Sequence, residues 1–441
     1  MLMETVMSKN IKLTKNSKIY ILCPRGIRTG GPTLMHQLAS EIVKIYGDSI
    51  TPFMRYYNIS YKNAPADAYS EYHIKTAYDI VDSPENLVIV PETATDFLKF
   101  CPKCQKVIWW LSVDNYVSHL QTVYSDFLKA GKFLFPLPAP FNFSGGDDIF
   151  HFAQSRYALN FLRVNKISED KIFYVGDYLQ LIFLQRAKHI DISQKEPIVV
   201  YNPKKGGDFT EKLITAAPDI KFVPIQDMTS EEVEVLLALA MVYIDFGNHP
   251  GKDRIPREAA ISGCTVITGK RGSAANDEDI PIESEFKFED NDENIPNIIN
   301  KIKEIFADFP KFHHKFDPYR KIILDEPKKF KRDLVKALNF KVKEMPTTIA
   351  LLQSGARGRV LNKFAEANGF NIVFRLGEEG DDGLSHIEKI SPEDAFFLYR
   401  EERIEKFAAV TINENEKKMI SEKLYLQGIK DEDIIFIDLK R

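Results

Sequence analysis

The chain has 441 residues, of which 44% are hydrophobic and 28% are charged, a composition typical of a soluble globular protein with about three domains. It excludes a largely disordered, collagen-like or coiled-coil chain. The 59 Lys and Arg residues against 63 Asp and Glu give a net charge of −4, so we expect no nucleic-acid partner. Because the sequence shows neither a long apolar run nor a secretory signal pattern, we expect a cytoplasmic protein.

The first predicted domain, residues 17–183, alternates apolar strand patterns with helical patterns, which indicates a parallel sheet. The expected strands cover 18–23, 87–90, 106–111 and 173–175, and the expected helices begin at 32, 116 and 150. A glycine loop with Gly30 and Gly31 joins the first strand to the first helix, and Pro32 suits the first position of that helix. This order predicts an α/β unit.

The second predicted domain, residues 195–343, repeats the same alternation of strands and helices. Its expected strands cover 197–201, 221–224, 241–246 and 264–268. Three helices are expected in this domain. The first covers 209–216, the second follows a cap at Thr229 or Ser230, and the third begins at Pro256. The third predicted domain, residues 347–441, is a small α/β unit with expected strands at 348–352, 372–374, 407–412 and 434–437.

Ligands of open α/β sheets bind outside the carboxyl ends of the strands, so the loops at those ends form the candidate site. In the second domain, three such loops each combine Lys or Arg with Gly. The candidate donor-site residues there are Lys204, Lys205, Gly247, Asn248, His249, Arg254, Pro256, Arg257, Glu258, Lys270 and Ser273. Their cations and glycine-flanked amides predict an anionic ligand such as a nucleotide diphosphate. Considered alone, the turn at 202–207 suits an ordinary surface turn equally well.

Three ionisable residues have two interpretations each. Glu258 falls in the first turn of its helix, where a carboxylate either complements the helix dipole or accepts the hydroxyls of a ribose. Asp114 follows the strand at 106–111 and suits a general base that deprotonates a hydroxyl, and it suits a helix N-cap at least as well. His151, on the helix expected at 150–162, is a second candidate base, although a lone helical His is more often structural.

Three segments resemble a known group of enzymes. They are GIRTGGPTLMHQLA at 26–39, YNPKKG at 201–206 and FGNHPGKDRIPREAAISGCTVITGKRGSA at 246–274. In their order and spacing they are similar to GT-B-fold glycosyltransferases, above all bacterial enzymes that assemble capsule and lipopolysaccharide sugars. The resemblance covers roughly residues 17–340 and implies two facing Rossmann-like domains.

The resemblance implies a nucleotide-sugar donor on the second domain and a glycan or lipid-linked acceptor on the first. Lys204 or Lys205 would meet the diphosphate, Glu258 the ribose, and Gly30 and Gly31 the donor across the cleft. No metal or cofactor is implied, because side-chain cations and a helix N-terminus would neutralise the leaving diphosphate. Pro250 stands where many retaining members have the first of two glutamates, so the stereochemistry stays open.

Two further segments bear on partners. The basic stretch 311–343 would include a helix crossing back to the first domain, and it suits a solvated surface or contact with the inner face of an anionic membrane. The third domain contains ALLQSGARGRVLNKF at 350–364 and NIVFRL at 371–376. In these segments it is similar to a small Rossmann-like domain that begins sugar acyltransferases. Because Gln353 replaces the first glycine of the dinucleotide fingerprint, we interpret this domain as a recognition or assembly module. A nucleotide-sugar epimerase and a non-catalytic scaffold remain alternatives, and the oligomeric state is open.

Overall fold

A computed structural model describes most of the chain, as two compact units, Met1–Phe340 and Lys341–Arg441. The described residues are 10–26, 29–57, 69–129, 141, 143, 148–187, 190–340, 348–353, 355–368, 370–376, 387, 389–400 and 404–438. The predicted domain ends at 343 and 347 lie outside the described residues, and the predicted division of the chain stays a prediction.

The first unit begins with a six-stranded parallel sheet in the order β2-β1-β3-β4-β5-β6. Its strands are β1 (Lys18–Pro24), β2 (Thr51–Tyr57), β3 (Leu87–Pro91), β4 (Gln105–Trp110), β5 (Ile149–Ala153) and β6 (Ile172–Tyr174). The helices are α1 (Gly30–Tyr46), α2 (Val113–Lys129), α3 (Arg156–Val164) and α4 (Leu181–Arg186). All five residues of β3 are buried, as expected for a central parallel strand covered on both faces.

The helix expected at 150–162 is wrong in its first half. Residues 149–153 form strand β5, and α3 begins only at Arg156. Ser155 divides the two elements, because its extended backbone and its Oγ, which accepts the Ala158 N–H at 3.1 Å, make it the helix N-cap. Strand β2 was not expected, since Pro52 and Arg55 interrupt its apolar pattern.

A second parallel sheet in the same unit has the order β10-β9-β7-β8. Its strands are β7 (Glu196–Tyr201), β8 (Lys221–Pro224), β9 (Ala240–Asp245) and β10 (Thr265–Thr268). The helices are α5 (Gly207–Ala216), α6 (Ser230–Leu239), α7 (Arg254–Ile261), α8 (Ile295–Ala307) and α9 (Phe309–His314). Thr229 caps α6 in a capping box with Glu232, as one of the two expected caps. Helix α7 starts two residues before Pro256.

Helix α10 (Asp317–Leu338) returns from the second sheet to the first and packs against α1, α7 and β6. Its Phe330 lies between Trp109 of β4 and Tyr178, with ring centroids 6.3 and 5.4 Å away. These aromatic contacts fix the helix against the first-sheet half, and its packing against α7 joins it to the second-sheet half. Across the described part of the chain, no helix combines the length and the apolar character needed to cross a lipid bilayer.

The second unit contains a four-stranded parallel sheet in the order β12-β11-β13-β14 with its own buried apolar core. Its strands are β11 (Thr348–Leu351), β12 (Asn371–Arg375), β13 (Lys406–Thr411) and β14 (Ile434–Asp438). Its helices are α11 (Gly355–Asn368), α12 (Pro392–Arg400) and α13 (Glu414–Leu426). The Gln353 side chain exchanges hydrogen bonds of 3.0 and 2.8 Å with the backbone of Val410. These bonds hold Gln353 against β13 at the position where the dinucleotide fingerprint has its first glycine.

Candidate functional site

A cavity of about 640 Å³ lies in the first unit, where the carboxyl ends of the strands of both sheets come together. This is the position at which open parallel sheets bind ligands. The first-sheet wall includes Gly30, Gly31, Glu92, Ser112, Asn115 and Gln154. The second-sheet wall includes Lys205, Ile225, Met228, Lys252, Arg254 and Glu258. One wall thus offers amides, hydroxyls and a carboxylate, and the other offers three cations.

The first-sheet wall presents the N-terminus of a 17-residue helix to the cavity. Helix α1 begins at Gly30, and Thr29 at its N-cap makes no side-chain capping bond. The first N–H groups of a helix are left without intrahelical partners and carry a partial positive charge, which favours an anion. Gly30 lies against the Arg254 side chain, since a Cβ added there would be 3.9 Å from Arg254 Cδ. The glycine loop and the second-sheet cations therefore meet at this point.

Lys205 and Arg254 are the predicted cations that line the cavity. Lys205 pairs with Asp253, which is the N-cap residue of α7. The Arg254 Nε is buried without a hydrogen-bond partner among the described residues, and it lies 3.5 Å from Glu258 Oε1. A guanidinium with an unused donor at a cavity can bind a phosphate oxygen.

Glu258 lies in the cavity wall, one turn along α7 from Arg254. Burial raises the pKa of its carboxyl, and the nearby Arg254 and Arg257 partly offset that effect. A carboxylate in such a place is stabilised by accepting hydrogen bonds from ligand hydroxyls. The geometry is compatible with the ribose contact that the sequence predicts, and that role stays a prediction.

His249 is buried inside the loop at 246–253, where it contacts residues of the loop and of β9 and does not line the cavity. His249 Nδ1 lies 2.9 Å from Asp253 and His249 Nε2 lies 3.4 Å from Asp245. Burial opposes the charge, but the two carboxylates outweigh it and raise the pKa of His249 to about 9. These three side chains are close enough to hold a metal ion. With the His249 imidazole protonated, the group forms an ion cluster of one cation between two carboxylates.

Close backbone contacts bring the three predicted loops together. Gly206 has a φ of 63°, and a Cβ there would lie 2.4 Å from the Phe246 carbonyl carbon. The Ser273 N–H donates to His249 O at 2.8 Å, and Ser273 Oγ donates to Gly251 O at 2.6 Å. A Cβ at Gly251 would lie 2.1 Å from Leu111 O, so the same loop touches the first-sheet half. Ser273 therefore stabilises the conformation of the loop at 246–253 by hydrogen bonds to its backbone.

Several predicted donor-site residues do not line the cavity. Lys204 is exposed, and Lys270 is exposed and pairs with Glu289 at 3.6 Å. Gly247, Asn248 and Pro256 also lie outside the cavity wall.

Arg257 is engaged elsewhere in the fold. It is fully buried and donates to Asp177 Oδ2 at 2.6 Å and to Glu326 Oε2 at 2.8 Å. Asp177 follows β6, and Glu326 belongs to α10. Arg257 thus joins three elements and has no capacity left for a ligand phosphate.

The two predicted bases lie away from the cavity wall. Asp114 sits in the first turn of α2, where its carboxylate accepts from Asn248 Nδ2 and from Tyr157 Oη at 2.9 Å. Ser112, whose Oγ accepts the Asn115 N–H at 3.2 Å, is the N-cap of that helix.

The second predicted base, His151, lies on β5 and is completely buried. Its Nδ1 accepts the Trp110 indole N–H at 3.0 Å. Burial lowers the pKa of His151 to about 4, so the imidazole is neutral. An imidazole without solvent access cannot reach a substrate proton in this arrangement.

The structure adds residues to the site that the sequence reasoning missed. Glu92 is the first residue after β3, and its buried carboxylate accepts the Leu111 N–H at 3.0 Å. Ile225 and Met228 follow β8 and give the second-sheet wall an apolar part. An acid directly after a buried strand is a signal that could have identified Glu92. The loop after β8 carries neither glycine nor Lys or Arg, so it gave no such signal.

Comparison with known proteins identifies the fold. No family model matches the sequence, and no curated protein matches it. Among solved structures, the Anabaena protein HepE in complex with UDP and glucose is similar with a TM-score of 0.50 and 11% identity, covering 74% of this chain and 100% of that chain. The chain has the GT-B fold. The predicted fold class, α/β with facing Rossmann-like halves and a third small α/β sheet, is therefore confirmed.

Two other solved structures are similar over part of the chain. Sucrose-phosphate synthase from Thermosynechococcus elongatus has a TM-score of 0.49 and 13% identity, covering 73% of this chain and 100% of that chain. S. aureus TarM in complex with fondaparinux, α-GlcNAc-glycerol and UDP has a TM-score of 0.42 and 12% identity, covering 59% of this chain and 57% of that chain. At such identities function has to be argued from this chain's own residues.

Proposed function

We propose that this GT-B protein is a glycosyltransferase that moves a sugar from a nucleotide-diphosphate sugar to a glycan or lipid-linked acceptor. One observation carries the proposal: Lys205, Arg254 and the N-terminus of α1 face a single cavity between the two sheets. This is a set of positive groups suited to a diphosphate, in a cleft large enough for a nucleotide sugar.

The donor orientation follows from the second-sheet wall. The diphosphate lies between Lys205, Arg254 and the first turn of α1, and the ribose hydroxyls bind Glu258. Ile225 and Met228 supply an apolar surface for the nucleobase. The HepE structure contains UDP and glucose, so UDP-glucose is the first donor to test.

The leaving group is the nucleoside diphosphate, whose charge grows as the bond to the anomeric carbon breaks. Lys205, Arg254 and the helix N-terminus are fixed before the reaction, and preorganised donors of this kind stabilise a developing oxyanion. We therefore propose that transfer proceeds without a metal ion.

The acceptor side is the first-sheet wall, with its hydroxyl, amide and carboxylate side chains. A growing surface polysaccharide, as in capsule or lipopolysaccharide synthesis, matches this polar wall and the resemblance described above. Helix α10 carries many Lys and Arg residues, which suits peripheral contact with the inner face of an anionic membrane.

The lysine pair provides a direct test of the donor site. Lys205→Ala removes a cation from the cavity wall, whereas Lys204→Ala removes an exposed cation next to it. By calorimetric titration with UDP-glucose we expect about a tenfold weaker Kd for Lys205→Ala, equivalent to one charge-assisted hydrogen bond. Lys204→Ala is expected to bind like the wild type. Equal affinities for all three proteins would refute the donor site.

Product analysis separates transfer from the alternatives. With UDP-glucose and a panel of glycan acceptors, we expect release of UDP together with a lengthened glycan. An isomerised nucleotide sugar formed without acceptor would instead indicate an epimerase. Binding of donor without either product across the panel would indicate a scaffold.

A further inference from the structure

Glu92 supplies the only ionisable side chain on the first-sheet wall of the cavity among the described residues that line it. It begins the segment Glu92–Phe100 at the carboxyl end of β3, and only 4% of its surface is exposed. Its Oε2 accepts the Leu111 N–H at 3.0 Å, which fixes the carboxylate against the end of β4. The Glu92 carboxylate is therefore held rigidly on the first-sheet wall of the cavity. The Lys205 and Arg254 cations belong to the second-sheet wall.

No cation pairs with Glu92 in the described part of the chain. Burial raises the pKa of the Glu92 carboxyl to about 7, although backbone N–H groups, that of Leu111 foremost, oppose the rise. Tyr57 of β2 interacts electrostatically with Glu92, and Cys23 of β1 interacts in turn with Tyr57. Both are neutral, because burial raises the pKa of each to about 12. Glu92 thus has the proton affinity that a base working near neutral pH requires.

The other carboxylates near the cavity are already engaged. Asp253 pairs with Lys205, and Glu258 lies 3.5 Å from Arg254 on the donor side. Asp114 already accepts two side-chain hydrogen bonds and does not line the cavity. These three carboxylates therefore already have side-chain partners, whereas Glu92 accepts from backbone N–H groups.

We propose, resting on the proposed glycosyl transfer, that Glu92 binds the acceptor hydroxyl and takes its proton. The acceptor oxygen forms the bond to the anomeric carbon while its proton passes to the Glu92 carboxylate. The bond from the anomeric carbon to the diphosphate oxygen breaks, and its electron pair leaves with the nucleoside diphosphate. Because Glu92, and not the leaving diphosphate, takes the proton of the attacking hydroxyl, the step is a direct displacement from the face opposite the leaving group, and the anomeric configuration inverts.

The test compares Glu92→Gln with Asp96→Asn in the full chain. Both changes replace a carboxylate by an amide in the same segment, but Asp96 is exposed. The probe is UDP-glucose with water as the acceptor, read as release of UDP. We expect Glu92→Gln to hydrolyse UDP-glucose at least about 100-fold more slowly with an unchanged Kd, since general-base loss costs about 10²–10⁴-fold. Asp96→Asn is expected to match the wild type.

Two further readouts distinguish proton transfer from a merely structural role. The wild-type rate is expected to fall as the pH drops below about 7, and proton NMR is expected to show β-glucose as the first-formed anomer from UDP-α-glucose. Hydrolysis by Glu92→Gln within threefold of the wild type, or α-glucose as the first product, would overturn the role of Glu92. Failure of every nucleotide sugar to bind the wild type would instead overturn the proposed function.

Discussion

Arg254 and Arg257 lie one helical turn apart in α7, yet the fold gives their guanidinium groups different environments. Arg257 is enclosed by Asp177 and Glu326 and has its donors satisfied, whereas the Arg254 Nε lacks a hydrogen-bond partner among the described residues. A buried guanidinium between two carboxylates connects elements of the fold, and removing it would leave uncompensated charges. Of the two arginines, Arg254 has the capacity to bind a ligand anion.

The charge on buried His249 is expected to make the free energy of unfolding depend on pH. Its pKa is raised from 6.5 to about 9, so its contribution to stability is complete below about pH 6.5 and is lost as the pH rises through about 9. Relative to His249→Gln, the wild type is therefore expected to lose on the order of 3 kcal/mol of unfolding free energy across that range. Urea unfolding at several pH values measures this difference.

An exposed histidine provides the control for that experiment. His314 lies on the surface beside Asp317, with 69% of its side chain exposed. The difference between wild type and His314→Gln is expected to stay flat over the same pH range, because solvent screens an exposed pair. A flat difference for His249→Gln as well would contradict a buried histidine cation.

Among the secondary-structure elements, α5 begins with two adjacent glycines, Gly206 and Gly207. Replacing each of them by Ala is expected to change the unfolding free energy in opposite directions. Gly206→Ala forces a φ of 63° on a residue with a Cβ and places that Cβ 2.4 Å from Phe246. Gly207→Ala adds a Cβ that meets nothing within 4 Å in the first turn of a helix. We expect the first change to lower the unfolding free energy by at least about 2 kcal/mol and the second to leave it equal or up to about 1 kcal/mol higher.

Thermal unfolding of both glycine variants checks this expectation, and titration with UDP-glucose adds a functional measure. Gly206 holds the loop that carries Lys205, so Gly206→Ala is expected to weaken donor binding as well. Equal behaviour of the two variants would show that the close approach of the two loops does not matter.

Buried parallel strands were predictable from the sequence because each forms a continuous run of apolar residues. Residues 87–90 and 197–201 are apolar on both faces, as two-layered helical cover requires, and both runs form strands. The run at 150–153 is apolar except for His151, and the sequence favours a helix there, since periodicity alone does not separate a short buried strand from a helix. Strand β2 was not predicted, because Pro52 and Arg55 interrupt its run of apolar residues.

The site was predictable only in part, for a physical reason. The loops that reach the cavity follow strands, and parallel topology brings strand ends together, so Lys205, Arg254 and Glu258 were found. Whether a charged residue in such a loop is free depends on partners that are distant in sequence. Arg257 is neutralised by residues 80 positions before it and 69 after it, which no local pattern reveals.

At the scale of the whole molecule, both walls of the cavity belong to the first compact unit, Met1–Phe340. The backbone bond from Val113 N–H to Pro250 O, at 3.0 Å, joins the two halves beside the cavity. The second compact unit has its own sheet and core, and Gln353 follows its first strand with its side chain hydrogen-bonded to Val410. Its role as a recognition or assembly module remains a prediction.

We propose that a diphosphate binds between the two sheets at Arg254, and titration with UDP measures this binding. Arg254→Ala removes the guanidinium at the cavity, and Arg271→Ala removes an exposed one that pairs with Asp290 outside it. We predict a tenfold to hundredfold weaker Kd for UDP in Arg254→Ala, as for loss of a charge-assisted hydrogen bond, and no change in Arg271→Ala. Unchanged UDP affinity in a folded Arg254→Ala protein would contradict the claim.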